Sequence, residues 1–487
     1  MEETVPSQRG MSGVSAASAA GGRRLTVLLL AVMGYFWVTL SPLPNMSGLT
    51  SDTPWGGTSN VINQIVVLAM FGVLLSCVGT RGVWGLLFQQ RLLLAALLFW
   101  FLLTAILGDD PGSALRRVIF GVIVIFCANA FLLLPRNQTQ FNAVITAVLC
   151  VVVLLSYFGV AAMPGRAIHQ ATDGLESSLA GDWRGIYSHK NITAAAMAMS
   201  VFFGLYLAAT GSRRLGWFLA AGALLFVLFS GGKTSTIMVP FTLLVAWLFE
   251  RCRSLRALLV WGTLIVANTI MIGAAVSDQI GGALSSLGID ATFTERSSIW
   301  RLAMSAIAER PLLGHGFQSF WQTDKLFTGQ AATETWAVTA ANAHNGYIEA
   351  VINAGVPGLI LTLLWLVRSP MRRAADALDG GNDIQLTRLF LRIWLFGIFL
   401  ACLESAFYVN TGPVWFTILI GVLGLGLQAR STLALDGETA VHSAAPMRPM
   451  AMEPAAPRPA YPVVQPAIRI GAKMTGSPVI RISRGAG

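Results

Sequence analysis

The chain has 487 residues, of which 55% are apolar and only 11% are charged. Soluble domains carry about 25% charged residues, so this composition excludes an ordinary soluble globule and indicates a polytopic membrane protein. The net charge of +10 would suggest a nucleic-acid partner in a soluble chain. Here arginines concentrated on one membrane face account for it, and no nucleic acid is expected.

Residues 1–22 are rich in Ser, Ala and Gly and are expected to be disordered. Arg23 and Arg24 precede an apolar run over 25–40, and Ser41-Pro-Leu-Pro follows without a small-residue cleavage site. This reads as an uncleaved first membrane helix. Further runs of spanning length cover 61–79, 91–107, 115–134, 142–163, 192–210, 215–230, 234–250, 258–276, 346–366, 388–406 and 412–428. The expected fold is an all-α polytopic membrane protein of about twelve transmembrane helices. Residues 23–276 hold the first nine, and 346–430 hold the last three. Between them, 277–345 form a large periplasmic loop containing short helices. The tail over 431–487 is rich in Ala, Pro and Arg and reads as disordered and cytoplasmic.

With the N-terminus inside, the inner loops hold Arg81, Arg91, Arg136, Arg213, Arg214, Arg251, Arg253, Arg256, Arg368, Arg372 and Arg373. That agrees with the positive-inside rule. The exceptions lie outside: Arg116, Arg117, Arg166, Arg184, Lys190, Lys233, Arg296, Arg301, Arg310 and Lys325. Some of these can be ordinary ion pairs with Asp109, Asp110, Asp182 or Glu295. Such pairs do not account for the local excess of positive charge.

Three outer segments each open a helix: 181–191, 230–236 and 342–345. A helix N-terminus presents free N–H groups and the positive end of its dipole, which together favour an anion. Taken singly, Asn191, Ser235 and Asn345 read as helix caps. Taken as a set on one face beside Arg and Lys, they read as a phosphate or diphosphate site. Lys233 lies in Gly231-Gly-Lys-Thr-Ser, but Val227 stands where a P-loop needs its first glycine, so that reading is rejected. The Asp109-Asp110 pair reads as a cap of the fourth helix. No HExxH, no CxxC and no other metal spacing appears, so neither metal nor cofactor is expected. His344 is the candidate general base, because the helix start beside it favours the neutral imidazole. His169, His189 and His315 read equally well as loop hydrogen-bonders. Glu404, near the outer end of the eleventh predicted helix, would orient His344 or pair with an outer arginine. The alternative is a charge that simply reaches the interface.

Several of these stretches together resemble a known family. They are His344-Asn345, nine residues and then Gly355-Val-Pro-Gly358; Arg296-Ser-Ser-Ile-Trp300; Pro311-Leu-Leu-Gly-His-Gly316; and Trp183-Arg-Gly-Ile-Tyr-Ser-His-Lys-Asn191. The chain is similar to the O-antigen ligase and polysaccharide polymerase superfamily, within it to the exopolysaccharide polymerase-like branch, from the fifth predicted helix onward. The resemblance implies transfer of a glycan from undecaprenyl diphosphate to an acceptor sugar hydroxyl at the periplasmic face of the bacterial inner membrane. The reaction would invert the anomeric centre and use neither metal nor nucleotide sugar. By position, Arg184, Lys190, Arg296 and Arg301 would hold the diphosphate, with Asn191, Lys233 and Asn345 beside them. His344 would take the hydroxyl proton. Gly355 and Gly358 would allow close helix packing. Trp183, Tyr187, Trp300 and Trp321 would either stack on sugars or form an interfacial belt. The expected partners are the lipid-linked oligosaccharide, an acceptor glycan, membrane lipid, a chain-length regulator and an export complex. The rival readings are a ligase that moves a finished glycan to lipid A core or protein, and a polysaccharide transporter or flippase.

Overall fold

The computed structural model describes residues 8–46, 61–87, 91–173, 177–286, 296–329, 335–380, 383–409 and 412–430. The tail over 431–487, read above as cytoplasmic and disordered, lies outside the described residues. Among the described residues there is no strand, only an isolated antiparallel bridge between Ile168 and Trp183. The main helices are α1 (Gln8–Val38), α2 (Val61–Arg81), α3 (Arg91–Leu107), α4 (Pro111–Leu133), α5 (Gln138–Ala162), α6 (Lys190–Thr210), α7 (Arg213–Phe229) and α8 (Lys233–Arg251). They continue as α9 (Thr263–Val276), α10 (Asp278–Ser286), α11 (Arg296–Glu309), α12 (Gly346–Leu363), α13 (Ser369–Asp379), α14 (Ile384–Leu400) and α15 (Pro413–Gln428).

Among the described residues, six stretches are long and apolar enough to cross a membrane: Ile62–Arg81, Pro111–Leu133, Gln138–Ala162, Lys190–Thr210, Arg253–Val276 and Gly346–Asp379. Leu92–Leu107 and Pro413–Gln428 are shorter apolar helices. The other four of the twelve expected segments are α1, α7, α8 and α14. Helices α7 and α14 have 17 residues each, and α1 and α8 mix apolar residues with many small and polar ones. The chain is therefore an all-α polytopic membrane protein. The apolar outer surfaces of α2, α3 and α7 match this, with Ile62, Leu92, Phe99 and Phe218 exposed. Lipid is the solvent such side chains are suited to. Helices α14 and α15 form the protein-facing interior, where Trp394, Phe390, Trp415 and Phe416 are all buried.

Polar bonds separate the helix ends into two groups. At one end Gln138 Nε2 donates to Asp383 Oδ2 (2.9 Å), Arg388 Nη2 pairs with Glu250 Oε2 (2.9 Å) and Arg256 pairs with Asp379 (3.2 Å). At the other end lie the α5–α6 loop, the α7–α8 turn, α11 and the loops before α12 and after α14.

Helix α12 is broken where it meets this second end. Ala354 leaves helical geometry (φ −147°, ψ 17°) and Gly355 takes φ +65°. A Cβ on Gly355 would lie 2.0 Å from the carbonyl oxygen of Leu312, so only glycine fits there. The break frees backbone groups that cost about 1–3 kcal/mol each if buried without a partner. Each finds one. His315 N–H donates to Ile352 O (2.7 Å), Trp100 Nε1–H donates to Ala354 O (2.8 Å), and Val356 N–H donates to Pro311 O (2.8 Å). The Pro311–His315 turn is thereby docked into the break. Gly358 follows one turn later, with Trp100 packed 3.5 Å from where its Cβ would be.

Candidate active site

His344 sits two residues before the start of α12, and its neighbours Asn342, Ala343 and Asn345 are tied down. Trp300 Nε1–H donates to Ala343 O (2.9 Å). Ala343 N–H donates to Glu349 Oε2 (2.9 Å), and His344 N–H donates to Asn342 Oδ1 (2.9 Å). Asn345 caps α12 by accepting from the N–H groups of Tyr347 (2.9 Å) and Ile348 (3.0 Å). These ties hold His344 in the left-handed region at φ +47°, a conformation costing about 1 kcal/mol for an L-residue.

The loop after α14 reaches the same place because Gly346 N–H donates to Ala401 O (2.7 Å) and Asn345 Nδ2 donates to Cys402 O (2.9 Å). Glu404 is thereby set against three donors. His344 Nδ1 lies 3.2 Å from its Oε2. Arg296 Nη2 lies 2.7 Å and Asn191 Nδ2 3.1 Å from its Oε1. Arg296 Nη1 also donates to Leu403 O. Burial pushes the Glu404 carboxyl up, but the Arg296 charge and the bond from His344 pull it further the other way and hold it at about 2. The ionised carboxylate only accepts, so His344 Nδ1 carries the proton. In the neutral ring this leaves the lone pair on Nε2. The His344 side chain is 29% exposed and Arg296 13%, so a ligand can reach both.

The segment before α6 supplies one side of the site. His189 caps α6 with Nδ1, which accepts from Asn191 N–H (3.0 Å), and this turns the Asn191 amide toward Glu404. Lys190 Nζ pairs with Asp182 Oδ2 at 2.6 Å. Gly231 packs on the same Asp182 carboxylate, which brings the start of α8 and the exposed Lys233 alongside.

Arg184 is 1% exposed, and each nitrogen of its guanidinium donates a hydrogen bond. It donates to Asp173 Oδ2 (2.8 Å), Arg166 O (2.8 Å) and Gly165 O (3.2 Å). It clamps the loop rather than facing open space. Asn345 is likewise buried and satisfied, since its Nδ2 also donates to Asn268 Oδ1 (2.9 Å). Three of the four aromatic candidates are buried too, and Trp183 is only partly so. Trp183 stacks on Phe229 with centroids 4.6 Å apart, Tyr187 donates to Trp37 O (2.7 Å), Trp300 is fully buried, and Trp321 Nε1 donates to Glu349 Oε2 (3.1 Å).

A second polar cluster lies along α11. Asp109 meets His315 Nδ1 (2.9 Å), Arg310 (3.2 Å) and Lys325 (3.4 Å). Partial burial raises its carboxyl pKa, but the His315 bond and the Arg310 and Lys325 charges outweigh that and hold it below the usual range. The neighbouring Asp110 caps α4 through Ser113 N–H (3.1 Å), as expected from the sequence. Beside Asp109 opens a cavity of about 800 Å³, lined among others by Ser298, Arg301, Ser305, Glu309 and Phe320.

His344, Arg296, Asn191 and Glu404 thus come into direct contact. Lys190 and Lys233 flank them, Arg301 belongs to the cavity, and Arg184, Asn345, Trp300, Gly355 and Gly358 build the frame. Two features escaped the sequence reading, the Asp109–His315 contact and the buried Glu349. The available signal for Glu349 was a carboxylate inside an apolar run of spanning length.

Fold and site together define a polytopic membrane protein with a histidine–carboxylate–arginine cluster at one end of its helices. Residues 192–363 match the O-antigen ligase family model. The chain is similar to the exopolysaccharide production protein ExoQ of Rhizobium meliloti (strain 1021), with 32% identity over 127 residues. That match covers 26% of this chain and 28% of the relative's length.

Proposed function

We propose that this protein polymerises lipid-linked oligosaccharide repeat units into an exopolysaccharide at the outer face of a bacterial inner membrane. The observation that carries the reading is the His344–Glu404–Arg296 cluster: a base with a free Nε2 beside a fixed cation. The arginines of the opposite helix end, among them Arg81, Arg136, Arg256 and Arg388, support a cytoplasmic location for that end. In this reading the diphosphate of an undecaprenyl-diphosphate donor lies among Arg296, Lys190, Lys233 and the start of α6. The cavity beside Arg301 offers room for saccharide. His344 Nε2 takes the proton of an acceptor hydroxyl as its oxygen bonds to the anomeric carbon. The sugar–phosphate bond breaks on the opposite face, and the diphosphate leaves with the bonding electrons. Arg296 and the lysines stabilise that developing charge. Glu404 stabilises the imidazolium. The proton passes from His344 to solvent or to the leaving diphosphate.

A ligase is the second reading, because the matching family model is that of O-antigen ligase. The test is reconstitution of the purified protein with lipid-linked repeat units. A ladder of products supports polymerisation. A single transfer that needs added lipid A core supports the ligase. No new glycosidic bond under either condition rejects both.

A further inference from the structure

Glu349 lies in the first turn of α12 and is buried. Among the described residues no lysine, arginine or histidine forms an ion pair with it. A buried carboxylate without a countercharge is costly unless its oxygens accept several hydrogen bonds. An acid in the first turn gains from the helix dipole, but that gain is available to a side chain facing solvent. Glu349 instead turns inward, and its Oε2 gathers three donors from three loops. They are Ala343 N–H at 2.9 Å, Trp321 Nε1–H at 3.1 Å and Ser405 Oγ–H at 3.4 Å.

Two of those donors flank the reactive pair. Ala343 immediately precedes His344, and Ser405 immediately follows Glu404. One oxygen atom therefore ties together the backbones that carry the base and its carboxylate partner. The third donor, Trp321, belongs to the loop after α11. Its ring packs edge-on against Phe320 (4.9 Å between centroids), and Phe320 lines the large cavity. We propose that Glu349 is a positioning residue, one that sets the His344–Glu404 distance and the direction of His344 Nε2. The inference rests on the reading of His344 as the general base.

The test uses Glu349→Gln and Glu349→Ala proteins in proteoliposomes, with Trp321→Phe as a third variant that leaves the carboxylate in place and removes one donor. Two readouts are independent of each other. The first is kcat and KM for transfer from lipid-linked repeat units across pH. The second is the rate at which diethyl pyrocarbonate modifies His344, followed by peptide mass spectrometry across pH, which needs no turnover. Glu349→Gln is expected to lower kcat about ten-fold or more, as a displaced catalytic group does, with KM within about two-fold. The His344 modification profile shifts in parallel, and Trp321→Phe gives a smaller change in the same direction. Folded variants with wild-type kcat and an unchanged His344 profile would overturn the proposal, as would a loss of thermal stability alone. If the wild-type protein transfers no glycan, it is the polymerase reading that fails, and the His344 profile still decides the role of Glu349. If Glu349→Ala does not fold, Glu349→Gln and Trp321→Phe carry the test.

Discussion

Replacing Glu404 by glutamine keeps the size of the side chain and removes its charge. The carboxylate serves three donors at once, Arg296 at 2.7 Å, Asn191 at 3.1 Å and His344 at 3.2 Å. An amide has one acceptor oxygen, and its NH2 group then faces a donor. His344 loses the partner that fixes its proton on Nδ1, and Arg296 loses its ion pair. A histidine in the wrong tautomer costs an enzyme of the histidine–aspartate type about 10⁴-fold in kcat. Breaking a largely buried pair costs about 3 kcal/mol of stability. Glu404→Gln is therefore expected to cut kcat by roughly 10³-fold or more and to lower the melting temperature. Kinetics in proteoliposomes, normalised to the folded fraction, measure the first effect, and thermal unfolding measures the second. A folded Glu404→Gln protein with kcat within two-fold of wild type would refute the reasoning.

The same carboxyl gives a pH prediction. Its native pKa is held at about 2, below the ordinary value of 4.5. The stability it supplies is fully present above about pH 4.5 and is lost as the pH falls toward 2. Unfolding midpoints measured over that window should decline in the wild type and flatten in Glu404→Gln. Arg184→Ala leaves Asp173 buried without its 2.8 Å partner, so it should cost about 3 kcal/mol and lower the yield of folded protein. The kcat of the protein that does fold should stay near normal, and a kcat loss as large as that of Arg296→Ala would contradict the assignment. Gly355→Ala places a methyl group 2.0 Å from Leu312 O at φ +65°. It should destabilise by more than about 1 kcal/mol, read as a lower melting temperature in detergent.

The candidate site was legible to the extent that ionisable residues stand out in an apolar chain. His344, Arg296 and Glu404 were each visible for that reason. Their contact was not, because Arg296 and Glu404 are 108 residues apart. Arg184 looked like a ligand holder for the same reason that Arg296 did. What separates them is Asp173, eleven residues away, whose place beside Arg184 depends on how the loop folds. Gly355 was read as a packing glycine. Its actual service, opening α12 to receive the Pro311–His315 turn, depends on a partner segment that no local pattern reveals. Glu349 was hidden inside a run that looked like an uninterrupted membrane helix. The helices themselves were easier to read, because spanning length and hydropathy are local properties. The short helices α10 and α11, in the long polar interruption, were anticipated in kind but not in position.

The most direct test of the central claim is single-turnover transfer from a lipid-linked repeat unit by purified protein, comparing wild type with His344→Ala at equal folded concentration. The wild type is expected to release the lipid diphosphate as a new glycosidic bond forms, and His344→Ala to bind the donor but form the bond at least about 10²-fold more slowly. Equal rates in the two proteins would show that His344 is not the general base.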